Sequence, residues 1–541
     1  MIPIPDLLNR EPFLGIDEKA LSDLLGLAIL GREIGTEFHD LMAEAEVTPV
    51  ATWRPEFFED DLFVERLIEE SFELRIDGVH YPINERFLRR ALTATPTDLE
   101  TTRFRQEVLR ELDEDDRVLA SAERLYRELF GLLSLHRMPR YHSVLDTASH
   151  NLDILKQSRL VIDLMHDLFG TARSGLRRLY DGAVAIRETE EYKTLAALLD
   201  YESRLAELNL DITLGGDGRI RGLEVRSLEE CRDNPFWTRP IKRLWSRVRL
   251  GIGGHSMSNR ELLNRVVERV YVSLSPALIP LVQMLGQLEL YLAARALRDR
   301  AAERGLTMCI PEFRPDHAGG AALECEDLFN PLLLSQEQAP VPTSVRTVGS
   351  VPITVVTGPN SGGKTRLIQA IALTQLLGQS GLYAPCSRAR LRIQQGLFVS
   401  LIERESADQV EGRLGRELVR IRTLFEEMEH GSMVVLDELC SGTNPSEGIE
   451  VFTLVLQLLR RVEPVAYVTT HFLDHARALQ ENHTELALEF LQVQLDPDRR
   501  STYQFVDGVA RTSLAALTAE RLGVTFENLS AAVDGRRAKA G

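Results

Sequence analysis

The chain has 541 residues, of which 44% are hydrophobic and 27% charged, and its formal net charge is -18. This length exceeds that of one ordinary domain and the composition is that of a folded protein, which excludes a small binding module and a disordered chain. The negative charge argues against a surface that binds nucleic acid over its whole extent, because phosphate binding requires local positive potential. Any contact with nucleic acid must therefore come from a local patch.

The N-terminus and the cysteines indicate the cellular compartment. The first residues contain no basic stretch followed by an apolar one, so no secretory signal is predicted. The longest apolar stretch, Ala277–Leu297, is interrupted by charged and amide side chains, whereas a membrane span needs roughly 20 apolar residues. The five cysteines form no Cys-x-x-Cys pair, which is typical of reduced thiols. We therefore expect a cytoplasmic protein without a membrane partner.

The first predicted region, residues 1–95, is acidic and helical. Its apolar side chains recur at helical spacing, as at Leu21, Leu24 and Ala28. Residues 1–75 contain 18 acidic and 6 basic side chains, so two thirds of the net negative charge of the chain lies there. Two interpretations remain open, a solvated acidic surface or a docking or autoinhibitory segment that mimics a polyanion.

The second predicted region, residues 96–315, consists of long amphipathic helices. An apolar stripe begins at Leu176 and continues three and seven residues later. One interruption is predicted, because the short runs Leu210–Leu214 and Arg219–Val225 flank a Gly-Gly-Asp-Gly segment. Two such runs about a glycine-rich turn indicate a β-hairpin.

A basic stretch follows this hairpin. Residues 232–269 contain nine basic and three acidic side chains, with Trp237 and Trp245 between them. A solvated helix face and a nucleic-acid patch both fit this pattern. The nucleic-acid interpretation predicts phosphate contacts by Arg239, Lys242, Arg243, Arg247 and Arg249.

The third predicted region, residues 316–541, alternates short β-branched runs with helical runs. This alternation predicts an α/β sheet. The predicted strands are Ile353–Thr357, Met433–Leu436 and Val465–Thr469, followed by a hairpin of Leu488–Leu495 and Thr502–Val506.

A glycine-rich motif directly follows the first of these strands. Residues 358–365 satisfy the pattern G-x-x-x-x-G-K-[ST] and precede a predicted helix, Leu367–Leu377. In this pattern backbone N–H groups surround phosphate oxygens, the lysine reaches the β- and γ-phosphates, and the threonine hydroxyl binds Mg2+. We therefore expect ATP to be bound by Gly358, Pro359, Asn360, Ser361, Gly362, Gly363, Lys364 and Thr365.

The other two predicted strands end in side chains suited to phosphoryl transfer. One ends in Asp437, predicted to hold Mg2+ together with Thr365, and in Glu438, predicted to orient or deprotonate the attacking water. The other ends in Thr-His, where His471 would hydrogen-bond the γ-phosphate; a purely structural histidine is the alternative. The predicted catalytic residues of this Mg2+-dependent ATPase are Lys364, Glu438 and His471.

The motifs together have a recognisable form. The loop has the sequence Gly-Pro-Asn-x-x-Gly-Lys-Thr, the Asp-Glu strand continues through Gly442-Thr443, and the third strand ends in Thr470-His471. In these features the chain resembles the MutS family of ABC ATPases. The resemblance implies an ABC-type P-loop α/β ATPase domain at 316–541, preceded by a mainly α-helical core and lever domain at 96–315. It also implies a homodimer.

Two features depart from the family pattern. The resemblance implies that a partner subunit completes each ATP site through a signature segment containing a serine, but that position is Gly412 here, five residues before Glu417. Phe57-Phe58-Glu59 has the letters of the family's mismatch wedge, yet it lies in an acidic helical stretch. With no room for a nuclease domain after Gly523, we expect a short MutS-like protein that lacks mismatch-recognition and nuclease domains.

Two functions are compatible with these predictions. The first is an ATP-hydrolysing, DNA-associated protein that acts as a nucleotide-switched dimeric clamp in DNA repair or recombination. The second is an ATP-switched scaffold that binds a protein or ribosomal partner without specific DNA recognition. Charge reversal at Lys242, Arg243 and Arg247 separates them, because it should flatten the salt dependence of DNA binding only if DNA is the partner.

Overall fold

The computed structural model divides the chain into two compact units. The first comprises Met1–Leu7, Glu11–Val47 and Arg110–Leu288, and the second comprises Leu8–Arg10, Thr48–Leu109 and Glu289–Gly541. The residues described are 5–11, 52–137, 144–190, 192–196, 199, 207–214, 220–229, 281, 284–314, 322–347, 353–359, 362–401, 413–439, 444–481, 488–511, 525–526 and 528–530.

The N-terminal part of the second unit contains helices and one hairpin. A 3-10 turn covers Pro55–Phe57, and helices α1 and α2 cover Val64–Ser71 and Glu85–Thr93. Between the helices, β1 (Leu74–Ile76) and β2 (Val79–Tyr81) pair antiparallel across Asp77-Gly78, where both residues have positive φ. The helical prediction for residues 1–95 did not include this hairpin, which an Asp-Gly pair favours because it tolerates left-handed backbone.

The same segment packs against the C-terminal α/β part of its unit. The ring of Phe57 lies 4.9 Å from that of Phe398, and Phe58 and Leu62 are fully buried. Helix α1 contacts the 3-10 turn at Pro331–Leu333. Residues 48–95 therefore belong to the same compact unit as the C-terminal sheet, because their apolar side chains are buried in it.

Helices dominate the region that follows. They are α3 (Leu99–Glu114), α4 (Asp116–Arg137), α5 (Val144–Phe169), α6 (Arg177–Glu188) and a helix over 284–303. The predicted stripe of Leu176, Leu179 and Ala183 is fully buried. The predicted hairpin is confirmed by β3 (Glu207–Leu214) and β4 (Ile220–Glu229), which pair antiparallel. The five basic residues proposed for DNA contact, Arg239 to Arg249, lie outside the described residues.

The C-terminal part contains two sheets. Strands β5 (Glu312–Arg314), β6 (Leu323–Leu328), β7 (Thr343–Thr347) and β9 (Arg388–Arg392) form a four-stranded sheet that the sequence did not predict. The main sheet contains β8 (Ile353–Thr357), β10 (Leu397–Ser400), β11 (Met433–Leu436), β12 (Val465–Thr470), β13 (Leu488–Leu495) and β14 (Ser501–Asp507). All five strands predicted for this region are confirmed.

The main sheet has the order β10-β11-β12-β8-β13-β14. The first five strands are parallel and β14 is antiparallel to β13. Helices α7 (Lys364–Gln379), α8 (Arg413–Glu427), α9 (Pro445–Val462) and α10 (Leu473–Glu481) connect the strands. Every residue of β8, β11 and β12 is buried, as expected of parallel strands covered on both faces.

No helix in the described ranges combines the length and the apolar character that a membrane span requires.

Candidate nucleotide site

Strands β8 and β11, which flank β12 in the main sheet, end at one cavity. Strands β11, β12 and β8 are adjacent and parallel, so their carboxyl ends lie at the same edge of the sheet. The cavity has a volume of about 570 Å³. Its lining residues are Phe63, Pro359, Gly362, Gly363, Lys364, Thr365, Arg366, Gln369, Leu401, Asp437, Glu438 and Tyr503. Ligand sites in open parallel sheets characteristically lie at this edge.

The glycines of the loop between β8 and α7 occupy positions that no larger residue fits. Gly358 has a φ of 151°, and a Cβ there would lie 2.5 Å from Cγ2 of Val493. Gly363 has a φ of 93° and forms the N-cap of α7. The loop backbone therefore approaches its neighbours closely and leads into the amino end of a helix, where N–H groups without intrahelical partners favour an anion. Asn360 and Ser361 lie outside the described residues.

Lys364 is the central cation of the site. Its side chain is only 4% exposed, and its Nζ lies 3.1 Å from Oε1 of Glu438. The same ammonium donates hydrogen bonds to the carbonyl oxygens of Gly358, at 3.1 Å, and Pro359, at 3.3 Å. A buried ammonium at a helix N-terminus provides a strongly positive cavity wall, which suits the phosphate groups of a nucleotide.

Asp437 connects α7 to β12 through its side-chain hydrogen bonds. Its Oδ2 accepts a hydrogen bond of 2.6 Å from Thr365 Oγ1, and its Oδ1 accepts one of 2.5 Å from Thr469 Oγ1. Burial raises the pKa of Asp437, while the two hydroxyl donors and the ammonium of Lys364 oppose that rise. An additional cation beside this carboxylate would stabilise its ionised form.

Thr365 and Asp437 fit a magnesium ion by their chemistry. A hydroxyl and a carboxylate are hard oxygen donors, and Mg2+ is usually held by one or two such side chains together with water and substrate phosphates. Among the described residues, no group of three or more His, Cys, Asp and Glu side chains could hold a metal by itself. The donor set thus suits a metal that is shared with a bound phosphate.

Of the predicted catalytic residues Glu438 and His471, only Glu438 lines the cavity. Glu438 lines it and has a φ of 42°, a left-handed conformation that is uncommon for a residue with a side chain. His471 follows β12 and is half-buried, but it is not a lining residue; its ring packs 4.2 Å from that of Phe472. Burial lowers the pKa of His471, with a smaller lowering by Lys364 and an opposing effect of Glu438.

Three residues of the site were not predicted from the sequence. Thr469 is fully buried, and its hydroxyl accepts a hydrogen bond of 2.8 Å from the backbone N–H of Glu438 while it donates to Asp437. Tyr503 lines the cavity from β14, is 49% exposed and lies beside Gly363. Phe63 lines it from the N-terminal segment. Only Thr469 had a sequence signal, since it occupies the end of a predicted strand.

Three further segments bear on the family resemblance. Two of them, Gly412 and Gly442-Thr443, lie outside the described residues. Phe57-Phe58-Glu59 is structural, because Phe58 is fully buried and Glu59 forms an ion pair with Arg89. These side chains hold the N-terminal segment together and are not available as a wedge.

The region of the site is similar to a known protein domain. The model of MutS domain V matches residues 354–534, which include the loop, the Asp-Glu strand and His471. The part of the chain that contains the site is therefore similar to MutS domain V. The MutS domain V match begins at the second residue of β8, so the N-terminal segment that supplies Phe63 lies outside it.

Individual MutS relatives show the same coverage. Endonuclease MutS2 of Streptococcus thermophilus is 31% identical over 213 residues, which are 39% of this chain and 26% of that protein. Endonuclease MutS2 of Streptococcus pyogenes is 34% identical over 173 residues, 31% of this chain and 22% of that protein. The matched part of the chain thus spans about a quarter of the length of these relatives.

Proposed function

We propose that this protein binds and hydrolyses ATP with Mg2+ at the cavity described above. The observation that carries the proposal is the direct contact of Lys364 with Glu438 and of Thr365 with Asp437 around one glycine-rich loop. Phosphoryl transfer depends mainly on positioning and charge neutralisation, and these side chains provide both.

Each residue has a separate task in this proposal. Lys364 and the amino end of α7 bind the phosphates, and Thr365 and Asp437 hold Mg2+, which neutralises phosphate charge when bound. Glu438 orients the attacking water and accepts its proton, and its Oε1 lies 3.1 Å from Nζ of Lys364. Thr469 fixes Asp437 and Glu438 relative to each other. The lowered pKa of His471 keeps its imidazole neutral at pH 7, ready to hydrogen-bond the γ-phosphate.

The larger role that we propose is that of a DNA-associated homodimer whose nucleotide state opens and closes a clamp in DNA repair or recombination. The MutS domain V match and the MutS2 relatives support this proposal. The basic stretch 232–269 is its best candidate for phosphate contacts.

Replacement of Glu438 by Gln tests the catalytic assignment and the switch together. The variant keeps the shape of the side chain but cannot accept a proton, so we expect ATP to remain bound unhydrolysed and the dimer to accumulate. Retained radiolabelled ATP and the sedimentation coefficient measure both effects. If the variant turns over ATP as fast as the parent, the role of Glu438 is wrong.

Charge reversal tests DNA as the partner. Replacing Lys242, Arg243 and Arg247 by Glu should weaken duplex DNA binding and flatten its dependence on salt concentration. The matched control reverses Arg75, Lys193 and Arg422, which are exposed and form only surface ion pairs, so the net charge changes equally. An unchanged affinity and salt slope in the first variant would favour a protein or ribosomal partner.

A further inference from the structure

A segment far from the family domain in sequence forms one wall of the nucleotide site. Residues 53–63, here called the bracing segment, precede α1, and Phe63 at its end lines the cavity, as do Leu401 and Gln369. Phe63 is 36% exposed and has a φ of 52°. An aromatic residue in left-handed backbone is uncommon, and such conformations concentrate at functional sites.

Asp61 fixes the bracing segment to three separate elements. Its side chain is fully buried and accepts hydrogen bonds from the backbone N–H of Leu401, at 2.7 Å, and from Nη2 of Arg420, at 2.5 Å. Its carbonyl oxygen accepts one of 3.4 Å from Nε2 of Gln369. The partners lie after β10, in α8 and in α7. The buried, charge-assisted hydrogen bonds of Asp61, two residues away, therefore hold Phe63 next to α7.

The sheet order assigns this wall to a particular end of the cavity. Leu401 follows β10, the neighbour of β11, and β11 carries Asp437 and Glu438 at its end. Tyr503 lies on β14, at the opposite edge of the sheet. The apolar wall of Phe63 and Leu401 is thus on the carboxylate side of the cavity, and Tyr503 is on the other side.

We propose that Phe63 shields the γ-phosphate end of the nucleotide site from bulk water, so that the bracing segment controls hydrolysis and binding of the γ-phosphate more than affinity for ADP. The inference rests on the proposed ATPase function, which places the γ-phosphate beside Asp437 and Glu438. An apolar wall there lowers the local dielectric and strengthens the interactions of Lys364 and Mg2+ with the developing charge. Asp61 acts through Phe63 and is a positioning residue.

Two substitutions separate the apolar character of Phe63 from its backbone conformation. Phe63→Asn tolerates left-handed φ but makes the wall polar, whereas Phe63→Leu keeps it apolar. We expect Phe63→Asn to lower kcat about tenfold or more. Its Kd for ADP should stay within about twofold of the parent, and its Kd for a non-hydrolysable ATP analogue should rise. Phe63→Leu should retain most of the activity, and Val79→Ala, an exposed apolar residue on β2, should behave as the parent.

Leu401→Asn tests the same wall from another element and should give the same separation of kcat from ADP affinity. Parental kcat in both Asn variants would overturn the inference, as would an equal loss of affinity for ADP and the analogue. A separate outcome concerns the ATPase itself. If Lys364→Ala hydrolyses ATP like the parent, the proposed function fails; if hydrolysis depends on Lys364 but both Asn variants are unaffected, only the role of the wall fails.

Discussion

Lys364, Thr365, Asp437 and Glu438, here called the strand-end cluster, belong to the same compact unit as the bracing segment. The two regions differ in how far the local sequence predicts their positions. In the cluster, Lys364, Asp437 and Glu438 each lie within a few residues of a buried strand, and a parallel sheet brings such strand ends together. In the bracing segment, Asp61 contacts residues more than 300 positions away, and Phe63 lines the same cavity. Local pattern predicts the first arrangement and carries no information about the second.

The structure also shows what some of the acidic residues near the N-terminus contact. Of the net charge of -18, the first 75 residues carry two thirds. Several of these acidic side chains form ion pairs within the unit: Asp61 binds Arg420, Glu59 pairs with Arg89 and Glu70 pairs with Arg66. In the described residues, this part of the acidic region is therefore a packed and partly ion-paired component of its unit.

The largest effect is expected in the cluster. Lys364→Ala removes the buried ammonium from the phosphate end of the cavity, and we expect affinity for ATP to fall by about 100-fold or more, since charge-assisted bonds to phosphate are the strong ones. Isothermal titration calorimetry measures the change, and Lys193→Ala, an exposed lysine on the other unit, is the control. ATP affinity unchanged in Lys364→Ala would show that the cavity is not the nucleotide site.

The cluster also shows which parts of the site follow from sequence. The glycine-rich loop, the Asp-Glu pair and five of the six strands of the main sheet were predicted from local spacing alone, and β10 was not. Thr469 was missed because its role depends on the register between β11 and β12, which places its hydroxyl between Asp437 and Glu438. Tyr503 and Phe63 were missed because an exposed aromatic side chain has no periodic signature. The four-stranded sheet was missed because its short strands come from distant segments.

An intermediate effect is expected in the N-terminal segment. Asp61→Ala removes a buried carboxylate that accepts one hydrogen bond from the backbone N–H of Leu401 and one from the guanidinium of Arg420. We therefore expect the free energy of unfolding to fall by about 2 kcal/mol. Urea denaturation measures this loss. The neighbouring Asp60 is exposed, so Asp60→Ala should cost less than about 0.5 kcal/mol. Equal stability of both variants and the parent would mean that the segment is not anchored through Asp61.

The smallest effect is expected at Tyr503, which lies on the far side of the cavity from the carboxylates. Its ring is suited to stack on a nucleotide base, and Tyr503→Ala should weaken ATP and ADP about equally, by about five- to tenfold, the range of an aromatic contact near 1 kcal/mol. Tyr503→Phe should retain the affinity. A variant that loses affinity for ATP but not for ADP would place Tyr503 at the γ-phosphate instead, and would reverse the polarity assigned to the cavity.

The central proposal is that the strand-end cluster hydrolyses ATP and that DNA modulates this activity. Steady-state phosphate release by the full chain tests it most directly, measured without DNA and with homoduplex, mismatched and branched DNA. We predict Mg2+-dependent turnover that Lys364→Ala and Glu438→Gln abolish and that at least one of these DNA forms changes. Turnover that persists without Mg2+ or in either variant, or a rate that no DNA form alters, would contradict the account.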